Sequence, residues 1–210
     1  MSGRGRFIAF EGGEGAGKST QARLLADALA ARGIDCVVTR EPGGTPGAEA
    51  IRALLLDPAL PQWEPAAEAM LFAAARSDHV AHLIEPALAA GSWVICDRFV
   101  DSSLAYQGGA GGLGEAAIRA LHRVGSYGLL PDLTMLLETD PQTTAARIQA
   151  RDGGVADKIG GRGAAFHEDV AAAFERLAEA EPARFRRIDA SGSPDEVHAL
   201  VFAALGSLLS

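Results

Sequence analysis

Apolar positions along the chain follow two spacings. Short runs of β-branched and other apolar residues predict buried strands, whereas apolar residues three and four positions apart predict helices. The strand-like runs are 6–10, 35–39, 93–96, 133–138 and 185–189. The helical spacing covers 18–32, 47–56, 65–90, 114–127, 141–151, 164–180 and 195–209. Because strands and helices alternate, we predict an α/β fold whose parallel sheet has helices on both faces.

The length of the chain predicts one domain. Its 210 residues are enough for a single α/β unit with a full core, and no linker-like segment divides them. A Gly-rich stretch precedes the helix predicted at 164–180, and such a stretch is typical of a mobile segment. We therefore expect a single domain over 1–210 with a mobile lid at about 150–165.

Charge and composition disfavour several partners. The formal net charge is −8, whereas surfaces that bind nucleic acid are basic. The two cysteines, Cys36 and Cys96, lie in strand-like runs, which indicates buried thiols in a reducing compartment. No apolar run reaches the ~20 residues that span a bilayer. We expect a cytoplasmic protein that binds neither nucleic acid nor a membrane.

A glycine-rich loop follows the first predicted strand. Its letters, GGEGAGKS at 12–19, fit the phosphate-binding pattern G-x-x-x-x-G-K-[ST] between a strand and a helix. Glycines let backbone N–H groups converge on phosphate oxygens, and the helix N-terminus adds partial positive charge. Lys18 would reach the β- and γ-phosphates, and Ser19 would ligate magnesium. The predicted ATP-binding residues of this loop are Gly12, Gly13, Glu14, Gly15, Ala16, Gly17, Lys18 and Ser19. The alternative is a Gly-rich turn with an incidental lysine, but Lys18 is one of only two lysines in the chain.

The phosphate-binding loop alone leaves several classes of protein open. GTPases recognise guanine with Asn-Lys-x-Asp, and the chain contains no asparagine. Motor-type ATPases, partition ATPases and small-molecule kinases remain. The end of the third predicted strand favours a kinase, because Asp97 could hold magnesium through water and Arg98 could bind an anionic acceptor. A simple ion pair between Asp97 and Arg98 is the alternative.

Five motifs together resemble bacterial thymidylate kinases. They are FIAFEGGEGAGKST, TREPGGT, LFAAAR, DRFVDSSLAYQG and PDLTMLLE, in order between residue 7 and about residue 140. The resemblance implies a P-loop NTPase fold with a five-stranded parallel sheet. It also implies a kinase that uses ATP and magnesium to convert dTMP into dTDP, usually as a homodimer. A kinase for another small acceptor is the nearest rival, and a nucleotide-switch or partition ATPase that binds a macromolecule is the rival from another class.

The acceptor side is predicted partly from spacing and partly from the resemblance. Phe72 and Arg76 are four residues apart on a helix, so they share a face on which a base could be stacked and hydrogen-bonded. A core phenylalanine beside a solvated arginine is the alternative. The resemblance implies that Tyr106 packs where a 2′-hydroxyl would sit, and that Glu14 or, less well, Glu11 contacts the acceptor's 3′-hydroxyl or magnesium. The predicted dTMP-binding residues are Glu14, Arg40, Phe72, Arg76, Arg98, Ser102, Ser103, Tyr106 and Gln107.

The lid matches the family least well. Related lids tend to read Asp-Arg-[Ile/Phe]-Glu, whereas this chain has DKIG at 157–160. Lys158 or Arg162 would therefore supply the lid cation, with Arg147 and Arg151 available on the preceding helix for ATP. Solvated loop charges are the alternative. The predicted catalytic residues are Lys18, Glu14, Arg98, Lys158 and Arg162.

Two further surfaces are predicted, one for adenine and one for a partner chain. The loop 190–194 after the last strand would form a wall for adenine. The helix at 65–90 carries Met70 and Leu71 and could supply a dimer face, although an apolar stripe is more often core.

Overall fold

The computed structural model describes residues 3–152 and 158–209, with the backbone alone at 141, 148, 150–152 and 207. Five parallel strands form one sheet in the order β2-β3-β1-β4-β5. The strands are β1 (Phe7–Glu11), β2 (Cys36–Arg40), β3 (Trp93–Asp97), β4 (Leu133–Glu138) and β5 (Phe185–Asp189). The predicted five-stranded parallel sheet is therefore confirmed.

Helices connect the strands close to the predicted bounds. They are α1 (Lys18–Ala30), α2 (Pro46–Leu56), α3 (Pro65–His79), α4 (Glu85–Ala89), α5 (Val100–Ser103), α6 (Glu115–Ser126), α7 (Pro141–Asp152), α8 (Ala164–Ala180) and α9 (Pro194–Ala204). A π-helical turn at Val80–Ile84 joins α3 to α4, and a π-helical segment at Leu104–Ala110 follows α5. The helix predicted at 195–209 is shorter, because Gly206 adopts a left-handed φ of 48° after α9 and begins a 3₁₀ turn at Gly206–Leu209.

Local side-chain caps explain where two helices begin. The Thr45 hydroxyl accepts a hydrogen bond from the Ala48 N–H at 3.3 Å and so caps α2. Ser193 and Glu196 form a reciprocal capping box at the start of α9. Both helices also have proline in the first turn, where the missing N–H costs no intrahelical bond.

Alternate residues of each central strand fill two separate cores. Phe7 and Ala9 of β1 face a cluster built with α3, the two π-helical segments and α8. Ile8 and Phe10 face the opposite cluster, which α1 and α9 complete. The sheet is thus buried on both faces, as expected for parallel strands.

The two cysteines differ in burial. Cys96 in the central strand β3 is fully buried, whereas Cys36 is half-buried because β2 is an edge strand. The prediction that both thiols are buried is wrong for Cys36. Among the described residues, no helix has the length and apolar character needed to cross a membrane.

Candidate active site

A cleft of about 700 Å³ opens at the carboxyl ends of the strands. Parallel α/β sheets place ligands at this edge. Most of the predicted site residues line the cleft: Glu14, Gly15, Ala16, Gly17, Lys18, Ser19, Arg40, Phe72, Arg76, Asp97, Arg98, Ser102, Ser103, Tyr106, Gln107 and Arg147. Gly12, Gly13, Lys158 and Arg162 do not line it, and the side chain of Arg151 lies outside the described residues, as does Asp157.

The glycine-rich loop needs glycine at specific positions. Gly12, Gly15 and Gly17 have φ values of 130°, 73° and 91°, and Gly17 caps the N-terminus of α1. A Cβ on Gly12 would lie 2.3 Å from the carbonyl oxygen of Leu137 on β4. The loop therefore turns tightly against the sheet and leaves its backbone N–H groups at the start of a helix, a geometry that binds phosphate.

Lys18 lies folded onto this loop. Its Nζ donates to the carbonyl oxygens of Gly12 at 3.2 Å and Gly13 at 2.6 Å, and the residue is 7% exposed. Burial, together with the positive charge of Arg98, lowers the pKa of Lys18 to about 7. An anionic ligand would stabilise this ammonium, because the two carbonyl dipoles only partly replace the lost water.

Ser19 and Asp97 form the only predicted metal pair. The Ser19 hydroxyl donates to Asp97 Oδ2, which brings the start of α1 to the end of β3. Among the described residues, no cluster of three His, Cys, Asp or Glu side chains is placed to hold a metal ion. Two hard oxygen ligands nevertheless fit Mg²⁺, which usually keeps several waters and binds phosphate oxygens beside one or two protein groups.

Arg98 adopts a left-handed backbone conformation, with φ 72°. Its Nη1 donates to the Ser102 hydroxyl at 3.0 Å, and its guanidinium carbon lies 5.2 Å from the centre of the Tyr106 ring. Burial alone would lower the pKa of Arg98, but Tyr106, Glu11 and Asp97 outweigh burial and raise the pKa. The guanidinium is therefore a permanent cation at the wall of the cleft. The described contacts pair it with Ser102 and Tyr106, so the alternative of a simple ion pair with Asp97 is not supported.

Glu11 is not where a substrate could reach it. It is fully buried, and its carboxylate accepts hydrogen bonds from the backbone N–H groups of Phe99 at 2.8 Å and Ser102 at 3.0 Å. Burial and the neighbouring charge of Asp101 raise the pKa of Glu11 to about 7. The structure therefore does not support Glu11 as a contact for the acceptor's 3′-hydroxyl or for magnesium.

A buried network orients Arg76. Its Nε donates to Glu41 at 2.7 Å, and its Nη2 donates to the Ser103 hydroxyl at 2.9 Å. Glu41 also lies 3.1 Å from His79 Nδ1, and His79 Nε2 lies 2.8 Å from the Thr39 hydroxyl. Because Arg76 is 3% exposed, the alternative of a solvated arginine is wrong.

Neighbouring side chains fix two further predicted acceptor residues, Tyr106 and Gln107, and a third, Phe72, lies in the cleft wall. Tyr106 is buried and packs 6.1 Å from the Phe166 ring and 6.3 Å from the Phe174 ring, between centroids. Gln107 Nε2 donates to Glu68 Oε1 at 2.9 Å. Phe72 is half-buried in the cleft wall.

Arg40 lies at the cleft rim in contact with solvent. Its Nη2 donates to both carboxylate oxygens of Glu49, at 3.1 and 3.3 Å. The Arg40 side chain is 56% exposed, so this ion pair is weak and leaves the guanidinium able to turn towards an anion.

The predicted lid cations lie against the segment 61–68, which comprises the end of the connection between α2 and α3 and the first turn of α3. Lys158 Nζ donates to the carbonyl oxygen of Pro61, and Arg162 pairs with Glu68. At the phosphate-binding loop the lid instead presents backbone, since a Cβ on Gly160 would lie 2.3 Å from Glu14 Oε2. In this arrangement the lid touches the loop through Gly160, and neither predicted cation lines the cleft.

Arg147 borders the opposite end of the cleft. Its guanidinium donates to the carbonyl oxygens of Ala190 and Gly192, both at 2.9 Å. Ala190 and Pro194 line the cleft, and so does Val197 of α9. The loop predicted as an adenine wall therefore lies where Arg147 holds it in place.

Comparison with protein-family models matches residues 10–201 to the thymidylate kinase model. The chain belongs to the thymidylate kinase family. A thymidylate kinase of Rhizorhabdus wittichii is 60% identical over 98% of this chain and 99% of its own length. One of Caulobacter vibrioides is 48% identical over 94% of each. The crystal structure of thymidylate kinase from Ehrlichia chaffeensis has 31% identity and a TM-score of 0.79, covering 96% of this chain and 99% of that one.

Membership of the thymidylate kinase family confirms the resemblance stated from the motifs and the P-loop NTPase fold. It also confirms the predicted enzyme class and activity, the phosphorylation of dTMP by ATP to give dTDP. The rival interpretation as a switch or partition ATPase is accordingly set aside.

The sequence did not indicate which residues orient the acceptor side. Glu41 and His79 lie 35 and 3 positions from Arg76 in sequence, and only the fold brings Glu41 to it. A signal existed for His79, because residues three apart on a helix share a face. Glu41 gave no such spacing signal: it lies in the motif TREPGGT, but nothing in that Gly- and Pro-rich loop pairs it with Arg76.

Proposed function

We propose that this cleft holds ATP and dTMP side by side and transfers the γ-phosphoryl group directly between them. The bond from the γ-phosphorus to the bridging oxygen of ADP breaks as a bond to a dTMP phosphate oxygen forms, so no side-chain nucleophile is needed. The observation that carries the proposal is that Lys18, at the phosphate-binding loop, and Arg98, at the end of β3, line the same cleft.

On the donor side, the loop N–H groups and Lys18 would bind the β- and γ-phosphates. Ser19 and Asp97 are the residues that would hold magnesium, which neutralises phosphate charge when it is bound. Arg147 and the loop it contacts would border the adenine. Arg151, on α7 with Arg147, is proposed to bind ATP as well.

On the acceptor side, Arg98 and Arg40 would bind the dTMP phosphate. Phe72 would stack on thymine, and Arg76 would hydrogen-bond its edge beside Ser103. Tyr106 would fill the space of a 2′-hydroxyl, with Ser102 and Gln107 as polar neighbours. Glu14 would accept a hydrogen bond from the 3′-hydroxyl or contribute to the magnesium site.

The lid at about 150–165 is proposed to move within a single domain of 1–210. Lys158 or Arg162 would leave the segment 61–68 and stabilise the transferring phosphoryl group. Lid closure would exclude water, which otherwise competes with dTMP as acceptor.

The proposal includes a homodimer in the cytoplasm. Leu54 on α2, Met70 on α3 and Val124 on α6 are 43%, 55% and 85% exposed, and α3 packs against both α2 and α6. Exposed apolar groups on neighbouring helices are typical of interfaces. The cytoplasmic location is supported by the free thiols of Cys36 and Cys96.

Product analysis tests the function directly. The purified protein would be incubated with ATP and MgCl₂, with dTMP present or absent, and dTDP and ADP would be quantified by chromatography. We expect dTDP and ADP in equal amounts when dTMP is present, and little ADP without it. ADP formation independent of dTMP would indicate an ATPase, and faster turnover of another monophosphate would indicate a different acceptor.

A further inference from the structure

A buried carboxylate lies behind the acceptor wall without lining the cleft. Glu11 is the last residue of β1 and is 0% exposed. A carboxylate at such a site is costly unless donors surround it. The donors that surround Glu11 all come from the segment Phe99–Ser102, directly after Arg98.

The three hydrogen bonds divide between the two oxygens. Oε1 accepts the N–H groups of Phe99 at 2.8 Å and Ser102 at 3.0 Å, whereas Oε2 accepts the Ser102 hydroxyl at 2.6 Å. Glu11 thereby holds both ends of the short turn that begins α5. The turn cannot shift without breaking at least one hydrogen bond to this buried carboxyl group.

The backbone of Arg98 needs such support. A φ of 72° is sparsely populated for a residue with a Cβ, and it persists only where the surroundings fix it. The Arg98 N–H donates to the Phe10 carbonyl oxygen at 2.9 Å. The next N–H along the chain, that of Phe99, donates to Glu11. The strained residue is thus held on both sides by the end of β1.

The direction of one hydrogen bond links Glu11 to the guanidinium. Above the raised pKa of Glu11, about 7, the ionised carboxylate can only accept, so the Ser102 hydroxyl then gives its proton to Glu11. The hydroxyl oxygen is then left to accept from Arg98 Nη1 at 3.0 Å. Arg98 therefore donates to the Ser102 hydroxyl, and the Ser102 hydroxyl donates to Glu11.

We propose that Glu11 is a positioning residue for the acceptor site, holding Arg98 in its left-handed conformation and aiming its guanidinium into the cleft through Ser102. This role rests on the proposed function of Arg98 as a ligand of the dTMP phosphate. Glu11 itself is fully buried and does not line the cleft.

The test uses Glu11→Gln, which conserves size but replaces one acceptor oxygen with an N–H donor. The carboxamide can donate to Ser102 Oγ, in competition with Arg98. We expect the KM for dTMP to rise by roughly tenfold and the KM for ATP to change by less than about twofold. In an Arg98→Ala background, Glu11→Gln should raise the KM for dTMP further by less than about twofold, because the residue through which Glu11 acts is gone.

Asp101→Asn is the matched control. Asp101 is also fully buried in the same segment, but it accepts from Arg184 Nη1 at 2.6 Å and Nη2 at 2.9 Å, and from Thr134 at 3.1 Å. It contacts neither Arg98 nor Ser102 through a described hydrogen bond, and removing its charge lowers the pKa of Glu11, which keeps Glu11 an acceptor. We expect it to lower the thermal midpoint while the ratio of the two KM values stays unchanged.

Should Glu11→Gln fail to fold, Ser102→Ala removes the hydroxyl that relays the contact and should show the same loss of additivity with Arg98→Ala. A double variant in which the fold-increases in the KM for dTMP caused by Glu11→Gln and Arg98→Ala multiply would overturn the role of Glu11. So would a lower thermal midpoint with an unchanged KM for dTMP. If Arg98→Ala itself leaves dTMP kinetics intact, both this role and the proposed function of Arg98 are wrong.

Discussion

Tyr106 is a packed side chain for which we propose a role in sugar selectivity. Its ring is buried between Phe166 and Phe174 of α8 and the guanidinium of Arg98. Aromatic contacts of this kind hold a ring in one orientation. A fixed ring at the sugar position would reject ribonucleotides by excluded volume, which requires no hydrogen bond to the substrate.

We predict that Tyr106→Ala weakens the preference for dTMP over its ribose analogue. The smaller side chain opens the space that a 2′-hydroxyl needs, and we expect the ratio of the two kcat/KM values to fall by roughly tenfold or more. Tyr106→Phe should keep the preference because the ring remains. Tyr127→Ala is the control, since this other tyrosine is 88% exposed. An unchanged ratio in Tyr106→Ala would show that the ring has no part in sugar selection.

At the residue level, the sequence predicted which side chains lie at the site better than it predicted which residues those side chains contact. Motif and strand end together predict that Lys18, Ser19 and Asp97 share one site, and the structure brings the three side chains to the same cleft. The carbonyl contacts of Lys18 and the pairing of Arg76 with Glu41 depend on how distant segments meet. The spacing of residues along the chain carries no information about such contacts between distant segments.

The phosphate-binding loop is an element whose shape depends on where its glycines lie. We predict that Gly12→Ala is strongly destabilising, because its Cβ would lie 2.3 Å from the Leu137 carbonyl oxygen at a φ of 130°. A loss of more than about 2 kcal/mol in the free energy of unfolding is expected. Gly13→Ala is the matched control, since a Cβ there meets nothing within 4 Å. Urea unfolding of both variants measures the difference, and equal stabilities would contradict the close approach.

The lid carries two cations that are held with different strength. Arg162 forms a largely buried ion pair with Glu68 and stacks 4.6 Å from the Phe166 ring centre. Lys158 donates to one backbone carbonyl and lies 6.0 Å from the Trp63 ring centre. Releasing Lys158 towards a phosphate therefore costs less than releasing Arg162 from its carboxylate.

We predict that Lys158→Ala lowers turnover by roughly two orders of magnitude with little change in the KM for dTMP, because a cation that acts on the transferring group affects kcat. Arg162→Ala should be nearly silent in turnover, and Lys158→Arg should retain most activity. Single-turnover kinetics would separate the chemical step from product release. The reverse pattern would assign the role to Arg162, and full turnover in both variants would assign it to Arg147 or Arg151.

At the scale of the whole molecule, the sheet and its helices were largely predictable. Short apolar runs predict which segments are strands, and the helices that alternate with these strands predict a parallel sheet. The strand order and the π-helical segments were not predicted. They depend on packing between distant helices, such as α8 against the segment Leu104–Ala110.

The last prediction concerns the proposed dimer. Met70 on α3 is 55% exposed, and α3 lies between α2 and α6, which carry the exposed Leu54 and Val124. A charge at the centre of an apolar interface must be desolvated without a partner, so Met70→Glu should shift the protein from dimer to monomer. Leu200→Glu is the control, because Leu200 is 49% exposed on α9, which covers the opposite face of the sheet. Sedimentation equilibrium at several concentrations distinguishes the two masses. If Met70→Glu and Leu200→Glu both remain dimeric, the interface does not include this face of α3; if the unaltered chain is itself monomeric, the apolar side chains of α2, α3 and α6 need another explanation.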